Sequence, residues 1–227
     1  MEFSAEQGAL ALRILKFIAP AIPATIGVTL LSYALAVFLG LAVGLLQISG
    51  SRLFAWGAKA YVDILRGIPL LVQIFFIYFG LGRILNLERF TAGVIAVGIC
   101  YSAYLAEIFR AGIESVAHGQ HEAAASLGMS KRQTMRYVIL PQATRVIIPP
   151  SASEFIACLK DSSLVSIIGL RELTRAGREY YSQYFVDFQT WLIVGMVYLA
   201  MTLMLTKFTR SLERRFAVKG FGTVHRR

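Results

Sequence analysis

The sequence has few charged residues. Asp, Glu, Lys and Arg make up 16% of its 227 residues, and 56% of the residues are hydrophobic, whereas about a quarter of an ordinary soluble domain is charged. Several apolar runs approach or exceed the roughly 20 residues that a membrane-spanning helix requires. This composition excludes an ordinary soluble protein and predicts an all-α polytopic membrane protein with a single domain over residues 1–227.

The sequence also lacks the short motifs of several enzyme classes. It contains no GxxxxGK[ST] loop, so we do not expect this chain to bind ATP through a P-loop. HExxH and GxSxG are absent as well. His118, His121 and Glu122 have metal-like spacing, but histidines beside a helix start are more often solvent-exposed than metal-bound. We therefore predict no metal and no cofactor in this chain.

Cysteine is scarce, and acidic residues are the minority among the charges. Cys100 and Cys158 both lie in apolar runs without metal-site spacing, so we predict that they are packing residues; a disulfide between them is the less favoured alternative. Lys and Arg number 23 against 13 Asp and Glu, a net charge of +10. In a soluble protein this excess would suggest nucleic acid, but membrane topology also explains it.

Basic residues concentrate at the C-terminus, which predicts a cytoplasmic tail beside anionic lipid. The last 21 residues contain Lys207, Arg210, Arg214, Arg215, Lys219, Arg226 and Arg227. At the other end, Glu2 and Glu6 occupy the place of a basic n-region, so we expect no cleavable signal peptide.

The apolar runs predict about five membrane spans. These cover about 22–48, 61–81, 91–109, an irregular fourth region within 137–168, and 188–208. Residues 9–19 carry Arg13 and Lys16 and are predicted to form an amphipathic helix in the membrane interface. Residues 82–90 and 170–187 are predicted loops. An odd number of spans, with the basic tail inside, puts the N-terminus outside and the C-terminus in the cytoplasm.

Two of these spans carry local signals. Gly40 and Gly44 form a GxxxG pair, which would allow close approach of another helix. In the second span, Gly67 and Pro69 predict either a broken start that lines a cavity or a plain helix start with proline in its first turn. Asp63 and Arg66 stand three residues apart and could pair on one face.

Residues 119–141, GQHEAAASLGMSKRQTMRYVILP, form the longest polar stretch between two strongly apolar ones. We predict a short alanine-rich helix with Glu122 in its first turn, closed by Gly128 in the left-handed conformation. Ser130 and Gln133 predict a capping box for a second helix, and Pro141 should kink that helix. A short, smooth helix of this kind suits insertion into a cleft on another protein; an ordinary cytoplasmic hairpin is the alternative.

Fixed positions in this stretch resemble a known family signature. Glu122-Ala123-Ala124, then Gly128, then Val138-x-Leu140-Pro141 resembles the EAA loop of ABC-importer permeases, which usually have Ile where Val138 stands. Residues 63–73 (DILRGIPLLVQ) and 160–164 (KDSSL) resemble the polar amino acid branch, the histidine/glutamine/arginine-type permeases. The resemblance covers about residues 20–216.

The resemblance implies a type I ABC importer transmembrane fold in the inner membrane, working by alternating access. In that family the loop is a cytoplasmic coupling helix, here 118–141, which docks into a groove on an ATPase subunit that binds ATP and Mg²⁺. The residues carried over to this role are Glu122, Ala123, Ala124, Gly128 and Pro141. The implied partners are this ATPase, a second permease subunit (identical or homologous), an extracytoplasmic solute-binding protein, lipid and a polar amino acid, with no nucleic acid.

The fourth apolar region is unusually charged. It contains Arg145, Glu154, Lys160 and Asp161, and a central charge in a lipid-facing helix costs about 2.5–3.5 kcal/mol even on a permissive scale. These groups should face a cavity, each other or a partner subunit. Glu154 is the leading substrate candidate, because a buried carboxylate requires a cation. That cation could be the ammonium of an amino acid in transit, or Arg145, Lys160 or Arg178.

Further pathway candidates are Lys160 and Asp161 near the outer rim, and Gln73, Tyr101 and Ser102 as neutral hydrogen-bonding groups. Three other functions are alternatives. A secondary transporter with Glu154 as a proton relay predicts an inverted repeat, and none is visible. An intramembrane enzyme would need a nucleophile–base pair, which is also not visible. A structural scaffold would leave the spacing from Glu122 to Pro141 unexplained.

Overall fold

The computed structural model describes residues 2–216, with side chains from 6 to 211. The predicted basic tail at 217–227 lies outside this range. Two helices come first, α1 (Glu2–Ile18) and α2 (Ile22–Gln47), joined by a 3₁₀ turn at Ala19–Ala21. α3 (Arg52–Gly67) and α4 (Leu70–Phe75) follow, and α4 continues through a π-helical segment, Phe76–Leu81, into α5 (Gly82–Leu85).

The second half of the chain is also helical. α6 (Arg89–Glu114) leads into two short helices, α7 (His118–Ser126) and α8 (Lys131–Thr134), and a π-helical segment, Met135–Ile139, joins α8 to α9 (Leu140–Asp161). A 3₁₀ segment (Ser162–Ile168), α10 (Leu173–Tyr184) and α11 (Asp187–Phe216) complete the described chain. No strand occurs within residues 2–216, in agreement with the predicted all-α class.

Three helical stretches are long and apolar enough to cross a membrane: Glu6–Gln47, Arg89–Glu114 and Asp187–Ser211. α3 and the α4–α5 segment form a fourth span if they are counted together, although they meet at 103°. The second span predicted over 61–81 is therefore sharply bent near its start. Ile68 is extended (φ −101°, ψ 129°) because a residue before proline avoids the α-helical region, and Pro69 then starts α4. The broken start is the alternative that forms.

α9 is the helix in the predicted fourth region, and its charges distinguish it from the three apolar stretches. It also contains Pro149 and Pro150, each of which removes a backbone N–H from the helical hydrogen bonds. The charged residues of α9 point in different directions. Glu154 and Asp161 line a cavity, whereas Arg145 and Lys160 are exposed.

α2 and α6 pack closely in the centre of the bundle, and glycines make this approach possible. A Cβ atom on Gly40 would lie 2.9 Å from the carbonyl oxygen of Ser102, and one on Gly44 would lie 2.9 Å from that of Ala106. The predicted close approach at the GxxxG pair is confirmed, and α6 is its partner. The reciprocal position is Gly98 of α6, where a Cβ atom would lie 3.0 Å from the carbonyl oxygen of Ser32 in α2.

α1 is nearly continuous with α2 and belongs to the bundle. Ile14 and Ile18 are fully buried in a cluster with Leu173 and Ala176 of α10 and Val194 of α11. The amphipathic pattern of residues 9–19 thus provides an apolar face that packs on protein.

The predicted loop over 170–187 is wrong, because α10 occupies most of it. Glu172 caps this helix by accepting hydrogen bonds from the backbone N–H groups of Thr174 (2.9 Å) and Arg175 (2.7 Å), and the Tyr198 hydroxyl of α11 donates to it as well (2.8 Å). Burial raises the pKa of the Glu172 carboxyl, while these hydrogen bonds oppose the shift. Glu172 is thus the N-cap of a helix, although the polar composition of residues 170–187 suggested a loop. In the other predicted loop, 82–90, only residues 86–88 are non-helical.

Candidate functional site

The coupling segment folds largely as its sequence predicts. α7 ends at Ser126, and Gly128 adopts φ +76°, the left-handed conformation that closes a helix. Ser130 Oγ accepts from the backbone N–H of Gln133 (3.3 Å), and Gln133 Oε1 accepts from the backbone N–H of Ser130 (2.8 Å). The predicted capping box is therefore present, and the chain forms helix, turn and second helix.

Glu122 is placed differently from the prediction. α7 begins at His118, so Glu122 lies beyond the first turn and does not complement the N-terminal end of the helix dipole. Its carboxylate instead lies 3.2 Å from Nδ1 of His118, one turn earlier on the same exposed face. The alanine-rich pattern indicated a helix correctly but did not fix where it begins.

The exposed face of α7 has an apolar end. Leu127, directly after the helix, is 81% exposed, while Ala124 is buried against the rest of the chain at 3%. Glu122 and Ala123 are exposed on the outer face. Sequence reasoning missed Leu127; the signal was a large apolar residue between a polar helix and its closing glycine.

Pro141 connects this segment to α9. It is the second residue of α9, and α9 begins directly after the π-helical segment Met135–Ile139. The helix is distorted by a π-helical turn before the proline, whereas Pro141 itself lies in the first turn of α9, where proline is tolerated; the kink predicted at Pro141 stays a prediction. Gln142 Nε2 donates to Gln120 Oε1 of α7 (3.3 Å), and the side chains of Ile113, Ile139 and Ala143 form one buried cluster. α7 is therefore tied to α9, and α9 is packed on α6.

A polar cavity of about 400 Å³ lies between the α3–α4 break, α6 and α9. Arg66 and residues 67–70 of the break form one wall, α6 contributes Cys100, Tyr101 and Tyr104, and α9 contributes Glu154 and Asp161. The cavity therefore contains one cation and two carboxylates, contributed by separate helices.

The charges in this cavity are not paired with each other. No ion pair within 4.0 Å joins Arg66 to Glu154 or Asp161 among the side chains of residues 6–211. The guanidinium of Arg66 lies 5.2 Å from the centre of the Tyr104 ring, within cation–π range. The Tyr101 hydroxyl donates to Asp161 Oδ2 at 2.8 Å. The arrangement leaves opposite charges available on facing walls.

The structure brings together three of the predicted pathway residues: Glu154, Asp161 and Tyr101. Arg66 was missed in this role because its spacing suggested a pair with Asp63, and no such ion pair occurs within residues 6–211. The available signal was its position just before Gly67 and Pro69, at the end of a broken helix. None of the alternative partners considered for Glu154, namely Arg145, Lys160 and Arg178, lines the cavity.

The other three predicted pathway residues lie outside the cavity lining. Gln73 Nε2 donates to the carbonyl oxygens of Leu65 and Ile68, both at 2.8 Å, so this side chain holds the helix break that forms one wall. Ser102 is fully buried and hydrogen-bonded to the Tyr61 hydroxyl at 2.7 Å. Lys160 is exposed and contributes to a different cavity.

A helical bundle with a charged central cavity and a helix–turn–helix segment tied to a cavity-lining helix defines the transmembrane subunit of a membrane importer. A family model described as "Binding-protein-dependent transport system inner membrane component" matches residues 36–218, and the chain belongs to this family. It is therefore a multi-pass inner-membrane permease subunit and not an enzyme. In this family, ATP hydrolysis resides on a separate subunit, and a binding protein is a further partner.

Relatives of known role support the same assignment. The chain is 38% identical over 197 residues to the glutamine transport system permease protein GlnP of Escherichia coli K12, covering 86% of this chain and 90% of that protein. It is 33% identical over 203 residues to the arginine transport system permease protein ArtQ of Bacillus subtilis, covering 88% and 93%. The resemblance to the polar amino acid branch of ABC-importer permeases is thus confirmed.

Solved structures show the same fold. A structure of an amino acid ABC transporter with histidines superimposes with a TM-score of 0.84 at 40% identity, covering 90% of this chain and 96% of the other. An inward-facing structure of the MetNI methionine ABC transporter matches with a TM-score of 0.79 at 18% identity, covering 91% and 99%. The predicted type I importer fold is confirmed, and the comparisons give no support to a secondary transporter.

Proposed function

We propose that this permease carries polar amino acids and that the cavity beside Arg66 binds them in transit. The observation that carries this proposal is the charge arrangement: a guanidinium on one wall, two carboxylates on the opposite side, and no ion pair among them. An amino acid at neutral pH has an ammonium and a carboxylate on one carbon. Arg66 would take the carboxylate, through the paired hydrogen bonds that a guanidinium can donate, and Asp161 would take the α-ammonium while it still accepts the hydrogen bond from Tyr101.

Charge also favours a cationic cargo. One cation and two carboxylates leave the cavity with an excess of one negative charge, and arginine-like amino acids carry an excess of one positive charge. Glu154, which forms no ion pair among the side chains of residues 6–211, would then face the side-chain cation. A neutral cargo such as glutamine is the second candidate, because GlnP, a glutamine permease by name, is similar to this chain.

The same proposal assigns the partners. The α7–α8 segment would dock into a groove on the ATPase, with Glu122, Ala123 and Leu127 on the contact face and Ala124, Gly128 and Pro141 maintaining its shape. ATP and Mg²⁺ would bind to that ATPase and not to this chain. A second permease, identical or homologous, would complete the pathway, and alternating access would follow from movement of both coupling helices.

We further propose that the coupling end faces the cytoplasm, with the N-terminus outside and the C-terminus inside. Basic side chains support this orientation, because cytoplasmic loops of membrane proteins are enriched in Lys and Arg. Arg52 follows the end of α2, and Lys131, Arg132 and Arg136 lie in the coupling segment. The solute-binding protein would then dock at the opposite end, beside α10.

Replacement of Glu154 tests the cavity. In proteoliposomes with the assembled importer and its binding protein, Glu154→Gln should reduce uptake of a cationic amino acid about tenfold or more, because a buried charged hydrogen bond is lost. Uptake of glutamine should fall less. Glu88→Gln is the matched control, since Glu88 is exposed and lies just before α6. An equal loss for both cargoes would mean that Glu154 has a structural role.

A further inference from the structure

A second cavity lies at the opposite end of the bundle from α7, and nothing in the transport cycle proposed above uses it. We propose that it binds the phosphate of a phospholipid headgroup, held by Lys160. The cavity measures about 340 Å³ and lies between the end of α9, the 3₁₀ segment, α10 and α11. Its polar lining comes from Lys160, Ser163, Thr174, Trp191 and Tyr198.

The lining has the chemistry of an anion site. It contains one ammonium, three hydroxyl groups and an indole, and no carboxylate. Cations and neutral N–H and O–H donors around a small space favour a negatively charged ligand with several acceptor oxygens. A phosphate group has this character.

Lys160 has no protein counter-ion among the described side chains. It makes no ion pair within residues 6–211. Its neighbour Asp161 points into the charged cavity and accepts from Tyr101 there. Glu172 lies behind the second cavity but is fully buried, and its oxygens accept from two backbone N–H groups and from Tyr198.

The polar groups of the lining differ in whether they are free to donate a hydrogen bond to a phosphate. Tyr198 donates to Glu172, and Thr174 Oγ1 lies 3.1 Å from the Tyr198 hydroxyl, so these two groups are engaged with each other. Ser163 Oγ and the indole nitrogen of Trp191 have no hydrogen-bond partner among the described residues. Together with the ammonium of Lys160 they supply the donors for a phosphate.

Aromatic residues beside this cavity indicate where the membrane surface lies. Tyr181, Tyr184, Phe185, Phe188 and Trp191 are all exposed where α10 turns into α11, Phe185 at 85% and Phe188 at 72%. Phe185 has φ +55°, a left-handed conformation that bulky residues rarely adopt. Tyr and Trp side chains, here Tyr181, Tyr184 and Trp191, gather at the level of lipid headgroups. Trp191 belongs both to this patch and to the cavity, so the cavity lies at headgroup depth.

This depth favours a lipid over a soluble anion. A free phosphate would need no aromatic surroundings, whereas a phospholipid places its phosphate beside Lys160 and its chains beside the exposed apolar side chains of α11, among them Leu192 and Met196. The site does not depend on the identity of the transported amino acid.

The two tryptophans of the chain, Trp56 and Trp191, allow a direct test. With Trp56→Phe, Trp191 becomes the single reporter on this chain. The assembled importer in maltoside micelles, with its partner subunits stripped of tryptophan by substitution, is titrated with phosphatidylglycerol that carries bromine on its acyl chains. A brominated galactolipid with the same chains and no phosphate is the matched lipid. Saturable quenching of Trp191 by phosphatidylglycerol, and only weak quenching by the galactolipid, is the expected result.

Variants test whether Lys160 binds the phosphate of phosphatidylglycerol. Lys160→Gln should raise the midpoint of quenching about tenfold or more, as expected for loss of a charged contact, and Lys160→Arg should preserve it. Ser163→Ala should raise it by a smaller factor, and it provides a milder variant if Lys160→Gln does not assemble. Lys59→Gln, an exposed lysine on α3, should have no effect.

Three results would overturn the proposal. Equal quenching by both lipids would show that only acyl chains contact Trp191. An unchanged midpoint in Lys160→Gln and Ser163→Ala would remove the headgroup site. A response of Trp191 to inorganic phosphate or to the solute-binding protein that depends on Lys160, with no quenching by phosphatidylglycerol, would assign the site to a soluble ligand or to a protein.

Discussion

The two carboxylates of the charged cavity are not equivalent. Asp161 has one oxygen occupied by the Tyr101 hydroxyl at 2.8 Å, whereas no described side chain forms an ion pair with Glu154. On the other wall, Arg66 makes a cation–π contact with the ring of Tyr104. Glu154 is therefore the carboxylate most dependent on a cation of the cargo's side chain, and Arg66 is the only cation in the lining available for a carboxylate.

Arg66 should serve every amino acid cargo, because all of them carry an α-carboxylate. Arg66→Gln is expected to reduce uptake of cationic and neutral amino acids alike, by about tenfold or more, in contrast to the selective effect of Glu154→Gln. Competition measurements in proteoliposomes check this with an amine that lacks the carboxylate. The variant should lose the preference of the wild type for the amino acid over that amine.

Arg52→Gln is the control for this prediction, since Arg52 is exposed at the other end of α3. If Arg66→Gln impaired only cationic cargo, or left the preference over the amine intact, Arg66 would not bind the carboxylate.

At the level of elements, the contact between α2 and α6 holds the centre of the bundle. Two carbonyl oxygens of α6 would lie 2.9 Å from Cβ atoms at Gly40 and Gly44, and backbone atoms cannot rotate away as a side chain can. α6 also carries three residues of the charged cavity, Cys100, Tyr101 and Tyr104. The glycine contact therefore fixes one wall of the site.

Gly40→Ala should lower stability through overpacking, by about 1–3 kcal/mol. We expect a melting temperature several degrees lower for the purified importer and less assembled protein in the membrane. Gly57→Ala is the control, because a Cβ at Gly57 meets no atom within 4 Å and alanine favours the helix. Equal melting temperatures for the Gly40 variant and the wild type would mean that the helices separate at little cost.

Local signals in the sequence determined much of this fold, and long-range contacts determined the rest. The capping box at Ser130 and the left-handed Gly128 involve neighbouring residues, so their patterns were sufficient. The α10 helix was missed because its cap, Glu172, is stabilised by Tyr198 of α11, a contact 26 residues apart. Arg66 was missed because its spacing suggested a pair with Asp63, whereas the 103° bend, which Gln73 stabilises by donating to two carbonyl oxygens, places it at the cavity with the carboxylates of α9.

At the scale of the whole molecule, the coupling segment and the charged cavity share one helix. α9 starts beside α7, through Pro141 and the hydrogen bond between Gln142 and Gln120, and ends with the two cavity carboxylates. On the outer side of α7, Leu127 is 81% exposed with no covering residue from the described chain. Movement of a partner against that face would be passed directly to the helix that carries the two cavity carboxylates.

Leu127 therefore offers a site for crosslinking to the ATPase. A Leu127→Cys variant should form crosslinks with cysteines in the ATPase groove, and ATP should change their yield. Ala124→Cys is the matched control, because Ala124 is buried at 3% and should react poorly. Free labelling of Leu127→Cys by a soluble maleimide in membranes containing the ATPase, with no crosslink, would contradict docking at this face.

The proline pair in α9 makes the middle of that helix easier to bend than its two ends. Pro149 and Pro150 remove two successive hydrogen bonds from its middle, between the coupling end and Glu154, and bending concentrates where such bonds are missing. A displacement of α7 along the axis of α9 is still transmitted through the helix, but a sideways displacement bends the helix at Pro149 and Pro150. We therefore expect the half with the carboxylates to tilt toward or away from Arg66 more easily than the contact between α2 and α6 at Gly40 and Gly44 can open. Under the proposed function, binding and release of the cargo would correspond to two positions of this half of α9.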